Sequence, residues 1–198
     1  MSGPASRRVL YAILIASVGC ASAHASDGRR PFEVPAIPQD KQMADLVRDL
    51  SSQDAVTRAG AAWAIAAAEG EHADVVSALE PLQSDSDRSV RYAAAWALGH
   101  LRGPTAGTGL PPGHKPPKPK RQGRPRWPMD AFVAKVQGTV LIEALVGEEG
   151  EVAYARVRQS VPALDAAALE AAWKWTFEPM RVGDTARATV IHLRFQLY

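Results

Sequence analysis

Between Lys41 and Arg102 the apolar positions recur every three to four residues, the spacing of one buried helix face. The pattern then repeats. Ala59-Gly-Ala-Ala-Trp-Ala-Ile65 aligns with Tyr92-Ala-Ala-Ala-Trp-Ala-Leu98, so Trp63 falls on Trp96 and Arg58 on Arg91. Upstream, Leu46 and Leu50 are echoed by Leu79 and Leu82. Asp54 and Asp87 precede the second helix of each pair, where a short carboxylate caps free backbone N–H groups. Past Gly103 the period disappears among prolines, and beyond Gly138 it becomes two. Val140, Ile142, Ala144 and Val146 alternate with Thr139, Leu141, Glu143 and Leu145, a strand apolar on both faces. Gly147-Glu-Glu-Gly150 predicts a turn, and Glu151–Ser160 the return strand, with Ala153, Ala155 and Val157 on one face and Arg156 and Arg158 on the other. Pro162 opens a helix with Leu164, Ala168, Ala171 and Trp175 on one stripe, and Asp165 sits at the positive end of its dipole. A loop through Pro179 and Gly183 leads to a last strand, Arg187–Leu197, in which Ile191, Leu193, Phe195 and Leu197 alternate with Val190, His192, Arg194 and Gln196.

These elements predict an α+β chain: an export segment at 1–25, a loose lead-in at 26–40, helical repeats at 41–103, a linker at 104–126 and a ββαβ domain at 127–198. The helical part resembles HEAT repeats, with their flavour most visible in Val90-Arg-Tyr-Ala-Ala-Ala-Trp-Ala-Leu-Gly99. Trp63 and Trp96 are placed to fill the gap between helix layers. Such repeats bury their faces by stacking, and about three are usually needed for stability. Two copies therefore imply docking onto the next domain or onto a partner. A protein-binding surface and a spacer both remain open as roles for the pair.

Charge separates the segments further. The whole chain nets +2, but residues 1–25 carry +2, 26–103 carry −4, 104–129 carry +6 and 130–198 carry −2. Arg7 and Arg8 precede the apolar run Val9–Cys20, too short for a bilayer span of roughly 20 residues, and Ala-x-Ala sites end at Ala23 and Ala25. The reading is a cleaved signal peptide and an exported protein. The alternatives are an uncleaved inner-membrane anchor and a lipoprotein tethered through Cys20, the only cysteine. Eight of the fifteen prolines lie in 104–128, interleaved with Lys115, Lys118, Lys120, Arg121, Arg124 and Arg126. Proline favours extended backbone, so this stretch reads as a stiff solvated spacer, with membrane contact through anionic head groups as its alternative. Nucleic-acid binding is excluded as a reading, since Trp127 is the one aromatic available for stacking.

The C-terminal residues resemble the C-terminal domain of the TonB family. The resemblance runs through Trp127-Pro128-Met-Asp-Ala131, Gly138-Thr-Val140 and Val146-Gly-Glu-Glu-Gly150-Glu-Val152. It continues through Leu164-Asp165-Ala-Ala-Ala-Leu-Glu-Ala171, Trp175-Thr-Phe177-Glu-Pro179 and Phe195-Gln-Leu197, and a Lys-Pro-rich stretch precedes it as in the family. It implies a non-enzymatic periplasmic domain that recognises an outer-membrane β-barrel receptor by strand addition in support of transmembrane transport. Val190, His192, Arg194 and Gln196, on the more polar face of the last strand, then tune the pairing; the alternative is that they are ordinary solvated positions. Two departures point away from motor coupling: the short apolar segment lacks a Ser four residues before His24, and a helical module stands where the family has an extended spacer.

No other chemistry competes. His24, His72, His100, His114 and His192 show no metal-ligand spacing, and no phosphate loop or nucleophile motif occurs. No cofactor, no metal and no enzyme activity are expected, and Glu148, Glu149 and Glu151 read as a solvated hairpin tip. The second reading is a periplasmic scaffold that binds another protein through its HEAT-like repeats without transducing energy. A homodimer through the last strand stays open. Intact-mass measurement of the exported protein checks the leader: cleavage after Ala23 or Ala25 is the expected result, and an uncut chain would restore the anchor.

Overall fold

The computed structural model describes residues 34–35, 41–68, 73–102, 110 and 114–198, all within one compact unit. The expected export segment, with Cys20, lies outside the described residues, as do parts of the lead-in and linker. Four helices come first: α1 (Met43–Asp49), α2 (Ala55–Ala67), α3 (Ala73–Leu79) and α4 (Arg88–Leu101), with a 3-10 turn at Pro81–Ser84 before α4. The caps read from sequence are in place. Asp54 accepts from the Thr57 N–H at 2.9 Å, and Asp87 accepts from the Ser89 N–H at 2.7 Å. Each satisfies backbone donors that a helix start otherwise leaves without partners.

The paired arginines do the same job twice. Arg58 donates to the carbonyls of Ser52 and Gln53, and Arg91 to those of Asp85 and Ser86, so each holds the turn before its own helix. Each also reaches forward with a bidentate fork. Arg58 takes Asp85 in the next repeat at 2.8 and 2.9 Å. Arg91 has no later repeat to meet and takes Glu148 at 2.6 and 2.9 Å, on the hairpin of the sheet. The hairpin thus occupies the place of a third repeat. Around it, Arg88 pairs with Glu151 at 2.6 Å, and the Tyr92 hydroxyl donates to Glu151 at 2.9 Å. Burial pushes the Tyr92 hydroxyl up to about 12, so it stays a neutral donor.

The sheet part runs β1 (Pro119–Arg121), α5 (Met129–Val133), β2 (Gly138–Val146), β3 (Val152–Gln159), α6 (Asp165–Trp173), β4 (Thr176–Phe177), β5 (Met180–Val182), β6 (Thr185–Arg187) and β7 (Thr189–Leu197). The main sheet is antiparallel in the order β3-β2-β7. At the β2–β3 turn Gly150 has φ +87°, and a Cβ there would lie 2.0 Å from the Phe177 carbonyl oxygen, so only glycine fits.

β2 is buried on both faces, as its sequence required, and two cores explain why. Val140, Ile142, Ala144 and Val146 join Ile191, Leu193, Phe195 and Leu197 beneath Leu164, Ala168 and Ala171 of the α6 segment. Leu145, Ala153 and Val190 on the opposite face belong to the same hydrophobic cluster as Leu46, Ile65, Trp63 and Trp96. The helical core therefore continues into the sheet. Trp63 and Trp96 lie 5.3 Å apart, and both meet Tyr154 of β3 edge-on, at 5.2 and 4.9 Å. They fill the gap between helices and sheet, not only between helix layers. α4 approaches β7 so closely that a Cβ on Gly99 would stand 2.6 Å from Val190 Cγ2.

Three features depart from the sequence reading. A bulge between Leu145 and Val146 sends Ala153 to the helical side, while Ala155 and Val157 stay with the α6 core; simple alternation misplaced Ala153. Within the stretch expected to be a free spacer, Pro119–Arg121 pairs antiparallel with Thr176–Phe177. The loop through Gly183 contains the β5–β6 hairpin, too short for a period to register. Arg187, at its end, donates to Gln83 at 2.9 Å and Ser84 at 3.0 Å, another tie to the helices.

Arg91 is the testable link. Arg91→Ala removes four charge-assisted hydrogen bonds and is expected to lower the unfolding free energy by about 2 kcal/mol in urea denaturation. Arg91→Lys recovers only part, since one ammonium cannot fork a carboxylate and hold two carbonyls.

Candidate functional site

An edge strand offers a row of backbone donors and acceptors to an incoming chain, and this sheet has two edges. They differ in regularity. β3 pairs with β2 through register shifts at Leu141/Ile142 and Leu145/Val146, irregularities that spoil a template. β7 pairs with β2 in unbroken register from Thr189↔Val146 to Leu197↔Gly138. The straight edge is β7, the strand singled out from sequence.

Its four candidate side chains do not share one environment. Val190 is buried at 1% exposure beneath Gly99 of α4, so it is a packing residue in this structure. His192 is half-buried, with Nε2 3.7 Å from Glu143 Oε1. Arg194 and Gln196 are exposed, and the Tyr198 hydroxyl donates to Gln196 at 2.9 Å. Helix α4 thus covers the start of the polar face and leaves its end open. Sequence alternation correctly separated this face from the α6 core, but it carried no sign of the helix lying on it.

Sequence reasoning missed a buried ionic cluster beside the edge. Glu143, only 4% exposed, accepts from Arg156 Nε at 2.8 Å, and His100 Nε2 lies 3.2 Å away. His100 is held by its Nδ1 at the Trp96 carbonyl, 2.8 Å away, and also touches Arg156. The Arg156 guanidinium lies over the Trp96 ring at 5.1 Å. Burial opposes ionisation of Glu143, but the His100 hydrogen bond and the Arg156 charge outweigh it and hold its carboxyl at about 2. The cluster joins α4, β2, β3 and β7 at one point. The only signal in the sequence was a lone acid inside an apolar strand.

The residues that carry the family resemblance are structural. Leu164 and Phe177 are buried, and Trp127 packs half-buried against the α6 core. Pro128 precedes the first turn of α5, and Asp165 accepts from the Val161 N–H at 2.8 Å. Trp175 donates to the Gly123 carbonyl at 2.9 Å and lies 6.1 Å from Phe195, edge-on. Pro179 is half-buried, while Gly138 and Gly150 sit at positive φ. Among the described residues no cluster could hold a metal ion, and no helix is long and apolar enough to cross a membrane.

The buried carboxylate makes stability pH-dependent. Its pKa falls on folding from 4.5 to about 2, so its contribution is complete above about pH 5 and is lost as pH drops toward 2. Glu143→Gln is expected to cost about 3 kcal/mol at neutral pH and to flatten that acid limb, read by thermal melts across the pH series.

Residues 123–197 match the family model described as Gram-negative bacterial TonB protein C-terminal, and residues 43–110 match HEAT repeats. No curated protein matches the chain. Among solved structures, the solution NMR structure of the Pseudomonas aeruginosa TonB C-terminal domain is 26% identical. That alignment covers 44% of this chain and 90% of that one, with a TM-score of 0.37. The chain thus joins a TonB-like C-terminal domain to HEAT-like repeats in one mixed α and β architecture.

Proposed function

We propose that the protein is a non-catalytic, TonB-like recognition protein of the periplasm. Its C-terminal domain would recognise an outer-membrane β-barrel transporter by strand addition along β7, in support of transport across that membrane. The observation that carries the reading is the β7 edge: nine residues in unbroken register on one side, with no strand on the other among the described residues. Backbone pairing supplies affinity there, and alternate side chains supply selectivity. Arg194 and Gln196 are the exposed side chains along it. The helical pair supports the sheet; the inner face of α4 is taken up by Val190, Tyr154 and the Glu143 cluster.

The test is capture of the chain by an outer-membrane β-barrel receptor. Slowed hydrogen exchange of the β7 amides on capture is the expected outcome, since pairing occupies outward N–H groups. Arg194→Pro, with its melting temperature checked, is expected to lose capture, whereas Arg194→Ala retains it within several-fold. Unchanged exchange along β7 in a captured chain rules out this edge.

A further inference from the structure

A cationic ribbon stands apart from the β7 edge. From His114 to Met129 the chain carries six Lys or Arg residues and no acid. In the structure this stretch is fastened to the body along one side. The Lys118 carbonyl accepts from the Glu178 N–H at 2.8 Å, β1 pairs with β4, and the Gly123 carbonyl accepts from Trp175 at 2.9 Å. Lys115, Lys118, Lys120, Arg121, Arg124 and Arg126 are all exposed. None of them holds an ion pair among the described residues. The ribbon leads directly into α5, where Ala131 is anchored in the core but Met129, Phe132 and Val133 are 73%, 51% and 78% exposed. The exposed acids on the flanking elements are Asp130, Glu178 and Glu149, while Glu170 of α6 is paired with Lys174, so the six cations still leave a net positive surface.

We infer that residues 115–126 and α5 together form a docking surface for an anionic phospholipid bilayer. The cations meet the headgroup phosphates, and Met129, Phe132 and Val133 enter the boundary between head groups and acyl chains. The argument is the juxtaposition of two features. Uncompensated cations favour an anionic surface, and adjacent exposed apolar side chains favour one with an apolar layer beneath its charge. A single-stranded nucleic acid is held by aromatics interleaved with the cations, and Trp127, the aromatic within the ribbon, is half-buried against the core instead. Because the ribbon is pinned to the sheet domain, its cations are presented without the ordering cost of a free spacer. The inference does not rest on strand addition, since it uses none of the β7 residues.

The test uses the full chain with vesicles of phosphatidylcholine, alone or mixed equally with phosphatidylglycerol. Acetylation rates read by mass spectrometry locate the contact, whatever the N-terminal run does. Lys118 and Lys120 are expected to be protected several-fold on the anionic vesicles only, with Lys41 unchanged and the protection lost in high salt. Replacing Arg121, Arg124 and Arg126 together by Gln is expected to weaken anionic binding about five-fold for each charge removed, near a hundred-fold in all. Phe132→Ser with Val133→Ser weakens it further at constant charge. These side chains are exposed, so melting temperatures stay unchanged. Equal acetylation on both vesicle types overturns the inference, as does full protection in the charge-neutralised variant. So does a dimer, seen by sedimentation, that Phe132→Ser with Val133→Ser converts to monomer, because a second copy would then be the occupant of α5.

Discussion

Two helical repeats leave the last helix with a face that nothing in the repeats covers, and the architecture turns on how α4 covers it. The solution is a sheet laid where another repeat would stack. Arg58 grips Asp85 of the repeat that follows, and Arg91 makes the same grip on Glu148 of the β2–β3 hairpin. Burial supplies most of the stabilisation, through Trp63, Trp96 and Tyr154 and through the Gly99–Val190 contact. The ionic groups act differently. Buried ion pairs add little net stability over apolar packing but are costly to break, so they penalise wrong placements, because a misdocked sheet would leave Glu143, Arg91 and Glu148 without partners.

Covering that face changes what the sheet can offer. With α6 on one side and α4 on the other, neither face is free over most of its length, and recognition is left to the perimeter. The perimeter is not uniform. β3 is broken by register shifts, while β7 is straight and ends in the exposed Arg194 and Gln196. The fastened cationic ribbon and α5 add a second kind of surface, charged and apolar together. One compact unit thus separates a backbone-reading edge from a surface suited to an anionic layer.

Much of this was legible in the chain itself. Asp54 and Asp87 act within three residues of where they stand, so their capping was visible from local spacing. The double-sided apolar pattern of β2 announced two covering layers without saying what the second was. Ala153 was misread because a bulge inserts a residue into the alternation, and bulges follow from cross-strand pairing. Pro119–Arg121 looked like spacer because a three-residue strand rich in proline and cations has no periodicity to detect. Val190 was grouped with polar neighbours because alternation assigns a face and cannot say what lies upon it.

Periodicity, caps and turn glycines depend on residues a few positions apart, and these the sequence by itself determined: the repeat pair, the ββαβ order and the last strand as a candidate edge. The docking of α4 on the sheet depends on partners far apart in the chain. Arg91 and Glu148 are separated by 57 positions, and His100 and Arg156 by 56. Contacts at such separations leave no trace in local spacing, because each residue looks like an ordinary solvated charge until its partner arrives. Only the tertiary structure decided that Glu143 is buried and paired, that α4 covers Val190 while leaving Arg194 and Gln196 open, and that the basic segment is held against the domain.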